Sequence, residues 1–186
     1  MASEDIKSGK CIGVYRGHEG TVYSLDVQWK RGSAASRALQ SSTVPNRKVS
    51  PESPGSDVAV LVTGSHDQSI IIWEVVASLA GKTDASVKLK AHTGDVYALE
   101  LLHDPDNIRR IDNLVSGGDY TIRTWNTDSF VATQILHGHT GYVACLKVRG
   151  KRAFSGSWDT TIRSWNIETG KGMHVFKGHK KYCQLH

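Results

Sequence analysis

The chain has 186 residues, 39% of them hydrophobic and five of them tryptophan, which fits one packed domain. The formal net charge of +5 leaves room for an acidic partner, while a mean hydropathy of −0.34 and the lack of a long apolar run exclude a membrane-spanning helix. The three cysteines, Cys11, Cys145 and Cys183, have no paired spacing; this excludes a disulfide framework or a zinc site and suits a reducing intracellular compartment, cytoplasmic or nuclear.

In chain order, residues 1–10 read as a polar N-terminal tail, and Glu4 and Asp5 distinguish it from a secretory signal or transit peptide. Lys10 to Arg16 reads as an outer strand. After His18 comes a first strand with apolar residues at Val22, Leu25 and Val27. Residues 31–57 follow, rich in Ser, Ala, Pro and Arg and nearly without large apolar side chains. That composition cannot bury enough surface to order itself, so the segment is expected to be a disordered insertion. It holds Ser50-Pro51 and Ser53-Pro54, which a proline-directed kinase could use. A second strand is expected at Val60 to Val62, then a small-residue turn at Thr63 to Ser65, then the phrase Asp67-Gln-Ser-Ile-Ile-Ile-Trp73. A shorter expansion at 77–86 precedes a fourth strand at Lys88 to Lys90.

The same order then recurs twice. His92 leads into Val96, Leu99 and Leu101, then Asn113 to Val115, the turn Ser116 to Gly118, the phrase Asp119-Tyr-Thr-Ile-Arg-Thr-Trp125, and Ala132 to Leu136. His139 leads into Val143, Leu146 and Val148, then Ala153-Phe154, the turn Ser155 to Ser157, the phrase Asp159-Thr-Thr-Ile-Arg-Ser-Trp165, and Met173 to Phe176. Trp125 and Trp165 lie 40 residues apart, as do His139 and His179, a period in the range of a four-stranded propeller blade. His179 opens a fourth repeat, but Lys180-Lys181 follow it, Cys183 replaces the expected valine and His186 the expected leucine.

The Gly17-His18, Ala91-His92, Gly138-His139 and Gly178-His179 pairs, with the three Asp-to-Trp phrases, resemble the WD-repeat family of β-propellers. The resemblance covers nearly the whole chain apart from residues 29–57. Its departures are Trp73-Glu74, Trp125-Asn126 and Trp165-Asn166 where the family has Trp-Asp. It implies an all-β propeller of four-stranded antiparallel blades: about three complete blades, near residues 17–90, 91–137 and 138–177, plus an N-terminal outer strand and the start of a fourth repeat. Residues 11–186 would then be a partial propeller. Known propellers use about four to eight blades, so the expectation is a fragment or truncated form of a longer protein, with completion by a second copy as the lesser alternative.

The resemblance also implies one hydrogen-bonded tetrad per blade: His18, Thr63, Asp67 and Trp73; His92, Ser116, Asp119 and Trp125; His139, Ser155, Asp159 and Trp165. The chemistry is sound in its own terms, because a buried indole N–H needs an acceptor and a hydroxyl can supply it while donating to an imidazole. A Ser, His and Asp set also invites a catalytic-triad reading; three copies at one spacing point instead to scaffold. Nine histidines are present, but four belong to the repeat and none sits at usual ligand spacing with a third partner, so no metal is expected. No phosphate-binding glycine loop or single nucleophile–base pair stands out, and no cofactor or enzymatic activity is expected.

Relatives commonly bind partners on the face formed before the first strand and between the second and third. By position that face would carry Tyr23, His66, Asp95, Tyr97, Tyr142 and Trp158, with Thr21, Gly118 and Ala144, a composition typical of interaction hot spots. The loops between first and second strands would carry a basic face, including Arg109, Arg110, Arg149, Lys151 and Arg152. An acidic protein, nucleic acid or anionic lipid could use it, though no aromatics interleave the basic runs to support specific nucleic-acid readout. The expected function is a non-catalytic scaffold for protein partners; the alternative is the substrate-recognition portion of a multi-subunit enzyme complex such as a ubiquitin ligase. Against the common versions of the latter, Val76, Asp128 and Glu168 stand where cullin-linked relatives have arginine.

Overall fold

The computed structural model describes residues 2–5, 10–30, 58–76, 85–90, 92–104, 107–127 and 129–181. These form fourteen strands and no helix. Strands β1 (Ala2–Asp5) and β2 (Lys10–Val14) pair as an antiparallel hairpin. Three four-stranded antiparallel sheets follow. The first holds β3 (Val22–Lys30), β4 (Val58–Ser65), β5 (Ser69–Val76) and β6 (Ala85–Lys90); the second β7 (Ala98–Asp104), β8 (Asn107–Gly117), β9 (Ile122–Asn126) and β10 (Ala132–Leu136); the third β11 (Val143–Arg149), β12 (Arg152–Ser157), β13 (Ile162–Asn166) and β14 (Gly172–Phe176). Each sheet runs in sequence order, as hairpin-connected strands do when the connections are short. They are three propeller blades that do not close a ring.

The expected insertion at 31–57 lies outside the described residues, between the end of β3 and the start of β4. So do residues 77–84 of the shorter expansion; its last two residues, Ala85 and Ser86, already belong to β6. The fourth-repeat start is described only to Lys181. Two expectations change in extent. Residues 2–5, read as tail, are a strand paired to β2. The second strand of the middle blade begins at Asn107 rather than Asn113, its ladder to β7 reaching Asp104↔Asn107. Ladder bonds join backbone groups and do not require apolar side chains, so the pairing extends past the buried part of the sheet.

Two apolar clusters join the blades. Val60, Val62, Ile70, Ile72 and Leu89 of the first blade bury against Val96, Leu101, Leu114 and Trp125 of the second. Val115, Ile122 and Leu136 of the second bury against Val143, Val148, Ala153 and Trp165 of the third. Each fully buried aliphatic side chain contributes about 1.5–3 kcal/mol. The glycine near the end of the second strand in the first two blades has a packing reason. A Cβ on Gly64 would stand 2.6 Å from Val96 Cγ1, and one on Gly117 would stand 2.6 Å from Val143 Cγ1. Glycine there lets the next blade's first strand press against the sheet.

Carboxylates staple the blades at a second level. Asp26 Oδ2 accepts the Leu101 backbone N–H at 2.8 Å, and Glu100 Oε2 accepts the Val148 N–H at 2.6 Å. Asp26 and Glu100 each lie eight residues after the blade's histidine. In the third blade that place is Lys147, which instead pairs back to Glu100 at 2.7 Å.

On the free side of the first blade, Tyr15 packs edge-on to Trp73 at 5.7 Å and covers Leu61 and Ile71. Leu25 and Val27 remain exposed on β3, as do Phe154 and Phe176 on the free side of the third blade.

Candidate interaction face and the buried hydrogen-bond sets

The three Asp-to-Trp phrases each fold into a tight turn whose second residue takes a left-handed conformation: Gln68 (φ 66°), Tyr120 (φ 67°) and Thr160 (φ 67°). Such values are strained for non-glycine residues, most of all for β-branched Thr160. The preceding aspartate holds each turn closed by accepting the N–H of Ser69 at 3.0 Å, the hydroxyl of Thr121 at 2.6 Å, or the N–H of Thr161 at 2.8 Å.

From that turn the carboxylate reaches back to the histidine. In the middle blade Trp125 Nε1–H donates to Ser116 Oγ at 2.9 Å, Ser116 Oγ lies 2.7 Å from His92 Nε2, and His92 Nδ1 lies 2.9 Å from Asp119 Oδ1. The third blade repeats this through Trp165, Ser155, His139 and Asp159 at 2.8, 2.8 and 2.7 Å. The first does so through Trp73, Thr63, His18 and Asp67 at 2.9, 2.8 and 3.1 Å. A neutral imidazole with its proton on Nδ1 satisfies every member: indole to hydroxyl, hydroxyl to Nε2, Nδ1–H to carboxylate.

Burial alone would raise the three carboxyls. Hydrogen bonds outweigh it and hold them well below the usual carboxylate range: from Ser69, Glu19 N–H and His18 on Asp67; from His92, Thr121 and Thr93 on Asp119; from Thr161, His139 and Thr140 N–H on Asp159. His139 is shifted down, chiefly by burial against the opposing pull of Asp159. Two of the carboxylates also gain a cation from neighbouring strands. Lys88 on β6 reaches Asp67 at 3.2 Å, and Arg123 on β9 reaches Asp119 at 3.3 Å. Lys88 stands opposite Ile71, and Arg123 occupies the corresponding place on β9, opposite Ile135, so the positive charge is supplied from either strand of the pair.

The face expected to bind partners is continuous in space. Tyr23 and Tyr97 stack at 4.8 Å; Tyr97 meets Tyr142 at 5.6 Å and Trp158 at 5.5 Å; Tyr142 meets Trp158 at 5.1 Å. Asp95 Oδ2 accepts the Tyr97 hydroxyl at 3.0 Å and lies 2.8 Å from His66 Nδ1. Burial, then the adjacent Asp95, pushes the Tyr97 phenol up. Gly118 sits behind the rings, where a Cβ would stand 2.5 Å from the Asp95 carbonyl oxygen.

Sequence reasoning missed Tyr120, whose ring lies 5.1 Å from Tyr142 and extends the patch. Its left-handed turn aims it there. The available signal was an aromatic at a phrase position held by Gln68 and Thr160 in the other copies.

Arg149 and Arg152 are cross-strand partners at the β11–β12 hairpin, which turns at Gly150 (φ 56°). Lys151 pairs with Glu168 at 2.9 Å and Lys147 with Glu100. Arg109 and Arg110, expected in a loop, lie within β8. Among the described residues no group of three His, Cys, Asp or Glu side chains is placed to hold a metal ion, and no helix is long and apolar enough to cross a membrane.

Two comparisons bear on these features. The family model "WD40: WD domain, G-beta repeat" matches residues 83–126 and 130–166, within the second and third copies of the repeat. The chain is also similar to a guanine nucleotide-binding protein subunit beta of Arabidopsis thaliana, 33% identical over 96 residues, covering 50% of this chain and 24% of that protein. The match thus spans about a quarter of that relative's length.

Proposed function

Since the chain belongs to the WD-repeat family, we propose that it is a non-catalytic protein-interaction scaffold whose aromatic face engages a protein partner through Tyr23, His66, Asp95, Tyr97, Tyr142 and Trp158. The observation that carries this reading is the unbroken run of ring contacts from Tyr23 to Trp158, whose two ends are exposed, Trp158 at 40%, and whose middle rings, Tyr97 and Tyr142, are half-buried. Rings that served only to pack blades would be covered. Tyrosine and tryptophan offer large contact area with a polar tip, which is why they dominate binding energy at interfaces.

The Ser, His and Asp sets are read as scaffold. Ser116 and Ser155 are buried, each hydroxyl already joined to an indole and an imidazole, so no room remains for a substrate carbonyl. Residues 11–186 are read as part of a larger propeller; the open faces of the first and third blades support this.

The test is paired Tyr142→Ala and Trp158→Ala substitution. Affinity capture of protein partners should be lost while circular dichroism stays constant. If partners are retained there but lost on reversing the charges of Arg149, Lys151 and Arg152, the binding face is the opposite one.

A further inference from the structure

Within the aromatic face lies one carboxylate with no lysine or arginine beside it. Asp95 presents Oδ2 to the Tyr97 hydroxyl and to His66 Nδ1. Its Oδ1 takes no hydrogen bond from another described residue, and no lysine or arginine is paired with it, although four of the other aspartates and glutamates of the blades, Asp67, Asp119, Glu100 and Glu168, each hold one. The carboxylate is 18% exposed, enough to be reached and dry enough to matter. Tyr97 reaches it with its hydroxyl, and the rings of Tyr23 and Tyr142 that pack on Tyr97 add aromatic faces, to which a cation is attracted. The site is therefore built for positive charge, on a chain whose own net charge is positive.

The arrangement of the rings selects the kind of cation. Tyr97 tilts against Tyr23 at 4.8 Å and 36° and against Trp158 at 5.5 Å and 40°, and Tyr142 stands edge-on to Tyr97 at 5.6 Å and 70°, so the rings fill one another's space and leave no void between them. A trimethylammonium group needs walls. A planar guanidinium lies flat on a ring and turns its N–H fork sideways to a carboxylate.

We infer that the aromatic face reads an arginine side chain of its protein partner, with the guanidinium flat on one ring of the Tyr97–Tyr142–Trp158 cluster and hydrogen-bonded to Asp95 Oδ1. This rests on the interaction-face reading above and gives the partner a chemical signature.

The experiment uses the full chain and an array of synthetic nonapeptides in a Gly/Ser background. The central residue is arginine, citrulline, lysine, trimethyl-lysine or glutamate, and affinity is read by fluorescence titration. Arginine peptides should bind about tenfold more tightly than citrulline peptides, which keep the shape and lose the charge. Asp95→Asn should remove that preference. Circular dichroism and the melting midpoint of Asp95→Asn should match the parent and report that the fold is intact. Equal binding of arginine and citrulline, an unchanged preference in Asp95→Asn, a trimethyl-lysine preference, or no binding to any peptide would each overturn the inference. The interaction-face reading fails separately: it falls if Tyr142→Ala with Trp158→Ala leaves partner capture intact, and survives if peptides bind through those rings without regard to the central residue.

Discussion

Leu89, Leu136 and Phe176 hold the same place in three consecutive blades, three residues before the repeat's histidine. The first two are 9% and 1% exposed; Phe176 is 48% exposed. On the opposite face Val27, Leu101 and Val148 also correspond, and there Val27 is exposed while the other two are buried. The middle blade is covered on both sides, the third on one, and the first on one side in full and on the other only where Tyr15 lies. A blade's own sequence writes an apolar face, but only a neighbouring blade converts it into a core, so stability in such an array is shared between intrinsic and interface contributions. The same rule applies to the staples: Asp26 and Glu100 find a backbone N–H because another blade follows.

The largest test of this contrast removes a tryptophan from the covered blade. Trp125→Ala should cost about 3–5 kcal/mol by denaturant titration, since it deletes a buried ring and orphans the Ser116–His92 pair. A loss below about 1 kcal/mol would mean the blades do not share a cooperative core. Next, Leu136→Ala should cost about 2–5 kcal/mol, whereas Phe176→Ala should stay within about 1 kcal/mol of the parent because its ring faces solvent. Equal losses would show that something covers Phe176 in solution. A second copy is one candidate, and Phe154→Lys with Phe176→Lys should then shift the chain toward monomer in size-exclusion chromatography with light scattering. Gly117→Ala should cost about 1–3 kcal/mol, because its new methyl enters the space of Val143.

The smallest effect is the response to pH. His139 folds with its affinity for protons reduced from the ordinary 6.5. As pH falls below about 6.5 the unfolded chain takes up protons first, and stability declines from there downward. The three tetrad aspartates add stability that is complete above their ordinary 3.8 and is lost as pH falls through their lowered folded values. Denaturation midpoints should be flat above about pH 7, decline gently below 6.5, and fall steeply below 4. His139→Gln should remove part of the gentle decline and keep the acid limb. A midpoint that rises on acidification would contradict the hydrogen-bond scheme.

The sequence by itself determined the strands, the blades and the turn chemistry. Those features follow from side-chain alternation along a strand and from an Asp-to-Trp spacing that repeats inside each blade, both local in the chain. It also placed Tyr97, Tyr142 and Trp158 on one face, because each holds a fixed offset from its blade's histidine. Only the tertiary structure decided which of them touch. Ring contacts across blades depend on how far each sheet is rotated against the next, and no single repeat encodes that rotation. Tyr120 escaped notice because its direction is set by a left-handed turn that Gln68 and Thr160 adopt without consequence for the face. The partners of the basic residues were out of reach of the sequence for a related reason. Charges can be counted from composition, but Lys147 meets Glu100 across a blade interface and Lys151 meets Glu168 across a hairpin. Whether a charge is free to bind is decided by what the fold brings within a few ångströms of it, where Coulomb energy and desolvation are largest.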